Sequence, residues 1–437
     1  MTLDRRNFIK LLGGASTVAM AGASGVASAA VAAGSASEVM PKGKQRRVVV
    51  IGGGYGGTIA AKYVRMLDSS IEVVMIERNK QYVSCPFSNY YIGGLLKDLS
   101  SLTISYDKLA KNHGIKMVYA DVTAIDPAAK TVTMGDGKSI SYDRLIVSPG
   151  VDFRTEEIEG YNDQTSLLMP HAWKAGEQTI LLRKQLEAMK DGGTVVMSMP
   201  LVPYRCPPGP YERVSLIANY LKTSKPKSKV ILLDANDKVV AKAPLFTKAW
   251  STYYKDNLVY VPSKKVTKVD SATMTVTVEG IEDFKGDVVN FIPPQRAGRI
   301  AVAAGLVGPD KNWCPVDTIS FESKIHKDIH VIGDSSSAGA MPKSGYSANT
   351  EAKVCATNLV ALMNGKETVE LSTLNVCYSA ISDHESISVA AVYKVIEGKI
   401  AAVPNSGGIS PVDFSATKYE HIYAESWLKN ILTEMST

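Results

Sequence analysis

The chain has 437 residues, of which 45% are hydrophobic and 21% charged, with 49 Lys and Arg against 43 Asp and Glu. At roughly 150 residues per domain this length predicts two or three domains, and the ordinary composition excludes a disordered tail, a collagen and a short disulfide-stapled peptide. A net charge of +6 without any basic run interleaved with aromatics gives no indication of nucleic-acid binding. The five cysteines are an odd number, so at least one sulfur must lie outside any intramolecular disulfide.

The N-terminus has the pattern of a twin-arginine export signal. Arg5 and Arg6 precede a long uncharged stretch rich in Gly, Ala and Ser, which contains the small-residue cleavage pattern Ala-Ser-Ala at 27–29. A retained membrane anchor is the competing interpretation, but the stretch has few large apolar side chains. We therefore expect residues 1–29 to be removed and no integral membrane segment to remain. The mature protein is expected to be periplasmic and exported folded, in a compartment where disulfides persist.

A dinucleotide-binding unit follows the signal. An apolar run at 48–51 predicts a buried parallel strand, which leads into Gly52, Gly54 and Gly57 in the pattern G-x-G-x-x-G and then into a helix. Gly52 allows the tight turn, Gly54 lets backbone N–H groups approach a pyrophosphate, and Gly57 lets the helix pack on the strand. Glu77 ends the next apolar strand, where a carboxylate can bind a ribose. A merely tight turn would not account for Glu77, so the sequence predicts a dinucleotide site.

A second strand, turn and helix differ from the first at the turn. The predicted strand at 193–199 is followed by the proline-rich stretch PLVPYRCPPGP, which has few free N–H donors for a pyrophosphate. We therefore predict no second nicotinamide site. Cys206 in this stretch precedes a predicted helix N-terminus, where the helix dipole favours a thiolate, and Glu212 in the first turn is a candidate proton acceptor. The alternative is an ordinary free thiol beside an exposed glutamate.

The later elements complete the predicted architecture. Further strands are predicted at 229–234, after the helix of the second unit, and at 142–150 and 329–334, which end in Pro-Gly and Gly-Asp. A hairpin and a closing helix occupy the last part of the chain. The predicted fold class is α/β, with two Rossmann-like dinucleotide-binding domains and a small α+β C-terminal domain. The predicted bounds are 45–155 and 290–365 for the first, discontinuous domain, 156–289 for the second and 366–437 for the third.

Short motifs spread over nearly the whole chain beyond the signal carry a family resemblance. They are GGGYGG, SCPFSNYYIGG, PHAWKAGEQT, RCPPGPYER, IPPQRAG, WCPVD, HVIGD, MPKSGYSAN, NVCYSAIS and SGGISPVD. Together they resemble the flavoprotein subunit of flavocytochrome c sulfide dehydrogenase, a relative of sulfide:quinone oxidoreductases with two dinucleotide-binding domains. The resemblance implies FAD as cofactor, sulfide as substrate and a c-type cytochrome subunit as partner in a heterodimer. It also implies that the third domain covers the flavin and meets that partner.

The same resemblance assigns roles to three of the cysteines. Cys85 matches a cysteine bonded through sulfur to the flavin 8α-methyl, although Ser-Cys-Pro stands here in place of the more familiar Thr-Cys-Tyr. Cys206 and Cys377 match the family's redox-active disulfide. The alternatives are that Cys85 is a small packing residue and that Cys206 and Cys377 are buried thiols. Cys314 has no assigned chemistry, and Cys355 is expected in the core of a helix.

Further residues are implied at the flavin. Asp334 is expected near the ribityl and phosphate groups, and Tyr346 and Trp427 beside the ring. The alternatives are a strand-end turn for Asp334 and core packing for the two aromatics. The sequence has no C-x-x-C-H motif, so we predict no haem in this chain, and its scattered histidines predict no metal site.

The leading hypothesis is a periplasmic sulfide dehydrogenase flavoprotein, an oxidoreductase with a sulfur donor and cytochrome c as acceptor. In it HS⁻ attacks the Cys206–Cys377 disulfide and electrons pass through covalently bound FAD. Two alternatives stay open. A sulfide:quinone oxidoreductase would need an apolar membrane-facing segment, which the C-terminal stretch at 417–437 does not offer. A non-catalytic flavoprotein partner of a sulfur-oxidation complex would not depend on Cys206.

Overall fold

A computed structural model describes residues 39–40 and 43–437, and the predicted signal peptide at residues 1–29 lies outside them. Within the described part of the chain, no helix is both long and apolar enough to cross a bilayer. The elements before the inserted domain are β1 (Val39–Met40), β2 (Arg47–Ile51), α1 (Gly57–Leu67), β3 (Glu72–Glu77), β4 (Gln81–Val83), α2 (Ser88–Ile92), β5 (Thr103–Ser105), α3 (Asp107–His113), β6 (Lys116–Tyr119), β7 (Val122–Asp126), β8 (Thr131–Met134), β9 (Ser139–Ser141), β10 (Arg144–Val147) and β11 (Val151–Phe153).

The remaining elements fall into three groups along the chain. The inserted domain contains α4 (Glu177–Ala188), β12 (Thr194–Met199), α5 (Gly209–Ser224), β13 (Lys229–Asp234), α6 (Ala243–Tyr253), β14 (Leu258–Val261), β15 (Val266–Asp270), β16 (Thr275–Val278), β17 (Glu282–Lys285) and β18 (Val288–Phe291). The chain then returns through β19 (Gln295–Ala297), α7 (Arg299–Ala303), β20 (Cys314–Pro315), β21 (Ile329–Val331), β22 (Ser336–Ser337) and α8 (Gly345–Met363). The C-terminal part contains β23 (Thr373–Ala380), β24 (Ser386–Ile396), β25 (Lys399–Ala402), β26 (Gly408–Ile409) and α9 (Thr417–Ser436).

The first sheet is parallel and has the strand order β21-β10-β2-β3-β6. Every residue of β2 is buried, as expected for a strand whose two faces are both covered. The strand β21 comes from beyond the insert and pairs in parallel with β10, with Val147 opposite Val331. The first Rossmann-like unit is therefore built from two separate segments of the chain.

The inserted domain has its own parallel sheet, in the order β14-β13-β12-β18. Its helix α5 connects β12 to β13 and is almost wholly buried from Gly209 to Ala218. The strand β13 begins and ends where the sequence predicts it. This unit repeats the strand, helix, strand arrangement of the first, as the predicted fold class requires.

The C-terminal part is an antiparallel sheet with a helix packed on it. The strands β23, β24 and β25 pair in sequence order, and β26 pairs with β24. The helix α9 contacts β23 and β24 and also α1 of the first unit. Cys377 lies within β23, opposite Val389, so its position is fixed by a strand and not by a loop.

Candidate active site

A cavity of about 760 Å³ lies where the three parts of the chain meet. Its lining includes nearly all the residues singled out in the sequence, namely Gly52, Gly54, Glu77, Cys85, Cys206, Glu212, Asp334, Tyr346, Cys377 and Trp427. Gly57 lies behind the turn, as the first residue of α1. Folding therefore gathers around one cavity residues that are far apart in the sequence.

The glycine turn has the geometry that a dinucleotide site needs. Gly52 has a φ of +98°, and a Cβ there would lie 2.3 Å from the carbonyl oxygen of Ser148. A Cβ on Gly57 would lie only 1.8 Å from the carbonyl oxygen of Gly52, so α1 can approach the turn only with glycine at this position. A Cβ on Gly54 would meet nothing nearer than the Tyr82 ring at 3.5 Å. This side of the turn is therefore open toward the cavity.

Glu77 is held at the end of β3 by backbone donors. One carboxylate oxygen accepts the Gly53 N–H at 2.7 Å, and the other accepts the Asn79 N–H at 2.9 Å. The carboxylate thus stays beside the glycine turn, and its remaining lone pairs can accept hydrogen bonds from a ribose.

Asp334 and Trp427 each carry a polar atom without a hydrogen-bond partner in the described part of the chain. Asp334 lies in a short 3₁₀ helix after β21. Burial raises its pKa, and the positive charges of Arg205 and Lys343 oppose this shift. Among the described residues, no group forms a hydrogen bond with the buried Oδ1 of Asp334 or with the buried Nε1 of Trp427. Buried polar atoms are rarely left unpaired in native proteins. Both residues line the cavity, so a bound ligand with polar groups is the natural partner.

Cys85 lies in a small cluster with Arg205 and Trp173. A guanidinium N–H of Arg205 donates to Cys85 Sγ at 2.9 Å and also to the Trp173 carbonyl, while the guanidinium lies 5.6 Å from the Trp173 ring centroid. The Cys85 thiol also donates to the Trp173 carbonyl at 3.1 Å. The Arg205 guanidinium is therefore in direct contact with the Cys85 sulfur. Sequence reasoning missed Arg205, although it adjoins Cys206 in one of the motifs.

Cys206 and Cys377 are brought together across the cavity. Both are free thiols in the structure, and their side chains share a hydrogen bond. Cys206 is held in the left-handed region, with a φ of 57°, and its N–H donates to the Lys343 carbonyl at 2.7 Å. A non-glycine residue in this region carries a strain of roughly 1–2 kcal/mol, and such residues cluster at functional sites. The disulfide itself stays a prediction.

The expectation that the helix dipole makes Cys206 the thiolate is wrong. The hydrogen bond with Cys377, together with burial, raises the pKa of Cys206 well above its usual value. The same hydrogen bond lowers the pKa of Cys377 to about 7; burial opposes this shift, and the charge of Lys242 adds to it. Cys206 lies before the first residue of α5, and its carbonyl oxygen accepts the Gly209 N–H at 2.8 Å. At its sulfur, the hydrogen bond with Cys377 and burial outweigh the dipole.

Glu212 is buried, contrary to the alternative in which it is exposed. One carboxylate oxygen accepts from Asn89 Nδ2 at 2.7 Å and the other from the Ala380 N–H at 2.9 Å. Burial raises its pKa, while these two donors and the charges of Lys242 and Arg213 oppose the shift. The carboxyl therefore combines a fixed position beside both thiols with a raised proton affinity, as a proton acceptor requires.

The cysteines without assigned chemistry are both buried. Cys314 lies in β20, where burial raises its pKa to about 12, and Cys355 lies in the core side of α8. Neither lines the cavity. Within the described residues, no group of three or more His, Cys, Asp or Glu side chains is arranged to hold a metal ion.

Comparisons with protein families agree with this architecture. Residues 179–293 match the model described as sulfide dehydrogenase (flavocytochrome c) flavoprotein chain, central, and residues 370–435 match flavocytochrome c sulphide dehydrogenase, flavin-binding. Residues 46–179 match the pyridine nucleotide-disulphide oxidoreductase family. A sulfide dehydrogenase (flavocytochrome c) flavoprotein chain from Chlorobaculum thiosulfatiphilum is 57% identical over 44 residues, which are 10% of this chain and 92% of that sequence.

The chain belongs to the flavocytochrome c sulfide dehydrogenase flavoprotein family. Members of this family are flavoproteins related to the sulfide:quinone oxidoreductases. The mitochondrial sulfide:quinone oxidoreductase of Dictyostelium discoideum is 22% identical over 324 residues, covering 72% of this chain and 70% of that protein. The structure of the sulfide:quinone oxidoreductase from Aquifex aeolicus superposes with a TM-score of 0.73 at 18% identity, covering 90% of this chain and 91% of that one. The shared fold confirms the predicted fold class.

Proposed function

We propose that this chain is the flavoprotein of a periplasmic sulfide dehydrogenase, which oxidises sulfide at Cys206 and Cys377 and passes the electrons through FAD to a c-type cytochrome subunit. The observation that carries the proposal is the meeting of these two thiols, one from the inserted domain and one from the C-terminal sheet, at the cavity that the glycine turn borders. Family membership gives the chemistry, a sulfide-oxidising flavoprotein oxidoreductase.

The lining of the cavity fits FAD. The open side of Gly54 and the carboxylate of Glu77 suit a pyrophosphate and a ribose, and the unpartnered Oδ1 of Asp334 suits a further polar group. Tyr346 and Trp427, with ring centroids 6.2 Å apart, offer aromatic surface in the same cavity. Cys85 is the proposed point of thioether attachment. When bound, FAD accepts an electron pair and releases electrons singly.

The chain's own residues perform the sulfur chemistry in this proposal. HS⁻ attacks one sulfur of the Cys206–Cys377 disulfide, a bond forms between sulfide and that cysteine, and the other cysteine leaves with the electron pair as a thiolate. The raised proton affinity of Glu212 lets it take the persulfide proton. Arg205, Arg213 and Lys242 supply the positive charge that an anionic substrate and product need in a buried site.

The export and the partner rest on separate grounds. The twin-arginine pattern supports a periplasmic location, because that pathway exports proteins from the cytoplasm. It moves them after they have folded, so a cofactor can be bound before export. The names of the matching family and of the Chlorobaculum relative support a cytochrome partner. Haem is not expected in this chain, so the one-electron acceptor would belong to the other subunit.

The decisive experiment mixes the purified holoprotein with sulfide and either a c-type cytochrome or decyl-quinone. We expect cytochrome reduction in the wild type and in Cys355→Ala, the control for loss of a thiol, and its loss in Cys206→Ser. Reduction of decyl-quinone but not cytochrome would establish a sulfide:quinone oxidoreductase, the function of relatives that match most of this chain. Unchanged cytochrome reduction in Cys206→Ser would overturn the thiol mechanism, and no sulfide oxidation in the wild type would favour the non-catalytic flavoprotein.

The flavin attachment has its own test. Acid precipitation of the holoprotein should leave the yellow flavin in the pellet for the wild type and release it to the supernatant for Cys85→Ser. Cys314→Ser is the matched control, because its thiol is buried away from the cavity. Free flavin from the wild type would show that no thioether forms, and it would not affect the assignment of the cavity to FAD.

A further inference from the structure

Lys242 is a buried lysine to which the proposed function gives only a general share of the positive charge at the site. It lies immediately before α6 with a φ of 52°, and only 5% of it is exposed. Its ammonium donates to the carbonyl of Cys377 at 3.0 Å, to Ser379 Oγ at 2.8 Å and to the carbonyl of Ile387 at 3.2 Å. All three acceptors are uncharged, and they belong to β23 and β24 of the C-terminal sheet. A buried cation is ordinarily paired with an anion.

The three strongest of the anionic groups that face this ammonium belong to the sulfur site. Burial lowers the pKa of Lys242, and the groups that oppose this shift are, in order of strength, Cys377, Glu212, Cys206 and Glu420. Lys242 therefore acts on Cys377 more strongly than on Cys206. The guanidinium of Arg205 is the cation that acts on Cys206, and Glu212 acts on both thiols. The two sulfurs thus lie in unequal surroundings, with the ammonium hydrogen-bonded to the backbone of only one of them.

We propose that Lys242 is a positioning residue that makes Cys377 the leaving sulfur, so that the sulfide sulfur is transferred to Cys206. The inference rests on the proposed function and adds the direction of the reaction. In thiol–disulfide exchange the sulfur that is more stable as a thiolate leaves faster. The ammonium beside Cys377 stabilises the negative charge that develops there, and the persulfide is left on Cys206.

The step balances without any further reactant. HS⁻ supplies an electron pair to Cys206 Sγ, a new sulfur–sulfur bond forms, and the bond between Cys206 and Cys377 breaks with its pair on Cys377 Sγ. The sulfide sulfur is oxidised and the disulfide is reduced. The proton of HS⁻ stays on the Cys206 persulfide or passes to Glu212, and the thiolate of Cys377 is the anion that balances Lys242.

The first test locates the persulfide in the wild type. The oxidised holoprotein is mixed with one equivalent of sulfide without an electron acceptor, trapped with iodoacetamide at once, digested and measured by mass spectrometry. We expect the extra sulfur on the peptide that carries Cys206 and direct alkylation on the peptide that carries Cys377. The reverse distribution would overturn the proposal, whatever the behaviour of any variant.

The second test changes the ammonium and requires no sulfide. In the dithiothreitol-reduced holoprotein the rate of Cys377 alkylation is followed against pH, for the wild type, Lys242→Met, Lys242→Arg and the control Lys255→Met, an exposed lysine just beyond α6. For Lys242→Met we expect the midpoint to rise by about one pH unit, which is about a fivefold loss of thiolate at pH 7. Lys242→Arg should retain most of the wild-type profile, and Lys255→Met should retain it fully.

The two tests separate the failure of this inference from the failure of the proposed function. A wild type that does not react with sulfide would remove the proposed function, and the alkylation profiles would still decide the role of Lys242. An unchanged midpoint in a folded Lys242→Met variant with normal flavin content would overturn the inference while sulfide oxidation stood. If Lys242→Met does not fold, the position of the persulfide in the wild type decides alone.

Discussion

The two strand–turn–helix units of this chain have the same topology but differ in the residues that form their turns. In the first, β2 leads into a glycine turn that stays open toward the cavity at Gly54. In the second, β12 leads into a proline-rich stretch that holds Cys206 in a left-handed conformation and brings Glu212 in on the first turn of α5. Both turns border the same cavity. One turn offers backbone donors for a cofactor, and the other offers a sulfur and a carboxyl for chemistry on a substrate.

The difference shows how a repeated fold can acquire a second function without a new scaffold. Glycines leave N–H groups free at the end of a strand, whereas prolines remove those donors and fix the backbone. The inserted domain therefore keeps the position of a dinucleotide turn but uses it to hold Cys206 against Cys377 of β23. Five substitutions, taken from the largest expected effect to the smallest, test this division of labour.

The largest effect is expected for Glu212→Gln in the second turn. The substitution removes the proton acceptor. Its new NH₂ group must face one of the two groups that now donate to the carboxylate, the Asn89 amide or the Ala380 N–H. We expect sulfide-dependent cytochrome reduction to fall by about 10²–10⁴-fold, the usual contribution of a general base. Flavin content, measured by absorbance, should be retained, and Glu370→Gln at the exposed end of the α8–β23 connection should behave as the wild type. Equal rates for Glu212→Gln and the wild type would mean that another group accepts the proton.

In the first turn, Gly57→Ala and Gly54→Ala should fail in different ways. A Cβ on Gly57 would overlap the Gly52 carbonyl, so we expect a loss of about 3 kcal/mol in the free energy of unfolding, at the upper end of the cost of overpacking. A Cβ on Gly54 meets only the Tyr82 ring at an ordinary distance. Gly54→Ala should therefore keep its denaturation midpoint as apoprotein and lose flavin. A stable Gly57→Ala protein with full flavin would contradict the role of the turn.

A substitution of Glu351 tests a buried carboxyl that holds the backbone at Gly333, on the lining of the proposed cofactor site. It accepts the Gly333 N–H at 2.7 Å, and burial raises its pKa to about 8, with Lys343 and Asp334 as its charged neighbours. Because the folded pKa lies above the unfolded value, folding is penalised increasingly as the pH rises from about 4.5 to 8. Glu351→Gln keeps an acceptor and removes the charge, so we expect its free energy of unfolding to exceed that of the wild type by about 2 kcal/mol at pH 6 and by much less at pH 4.5.

Urea denaturation at several pH values measures this difference. The exposed variant Glu367→Gln is the control, and its stability should follow the wild type throughout. Parallel curves for Glu351→Gln and the wild type would show that burial of this carboxyl carries no cost.

The smallest effect is expected for Gly209→Ala, at the start of α5. A Cβ there would lie 2.9 Å from Cys206 Sγ and 2.9 Å from the Trp173 ring, so the sulfur must shift by a few tenths of an ångström. Because catalysis is sensitive to such displacements, we expect sulfide oxidation to slow by about tenfold with flavin content unchanged. Gly43→Ala, where no atom lies within 4 Å of the new Cβ, is the control. A loss of flavin in Gly209→Ala would mean that the two turns are not independent.

Features that depend on neighbouring residues in the chain were predictable from the sequence. The glycine turn and the strand β13 follow from local patterns, because a turn of fixed φ and a buried strand each require particular residues in order. The burial of Glu212 and the positions of Arg205 and Lys242 were not predictable. Each is set by groups from other domains, such as the Ala380 N–H that reaches Glu212 from β23. The assignment of the thiolate to Cys206 failed for the same reason, since the hydrogen bond that decides it comes from Cys377 on β23.

The placement of Cys377 on β23 has a consequence for how the protein is made. The glycine turn and Glu77 emerge from the ribosome early, Cys206 follows with the inserted domain, and Cys377 comes only with the last elements of the chain. A nascent or prematurely terminated chain therefore contains the nucleotide turn without the sulfur pair. The order of synthesis delivers the nucleotide turn before the sulfur pair, and only a completed chain, which also supplies Asp334 and Trp427, brings both to one cavity.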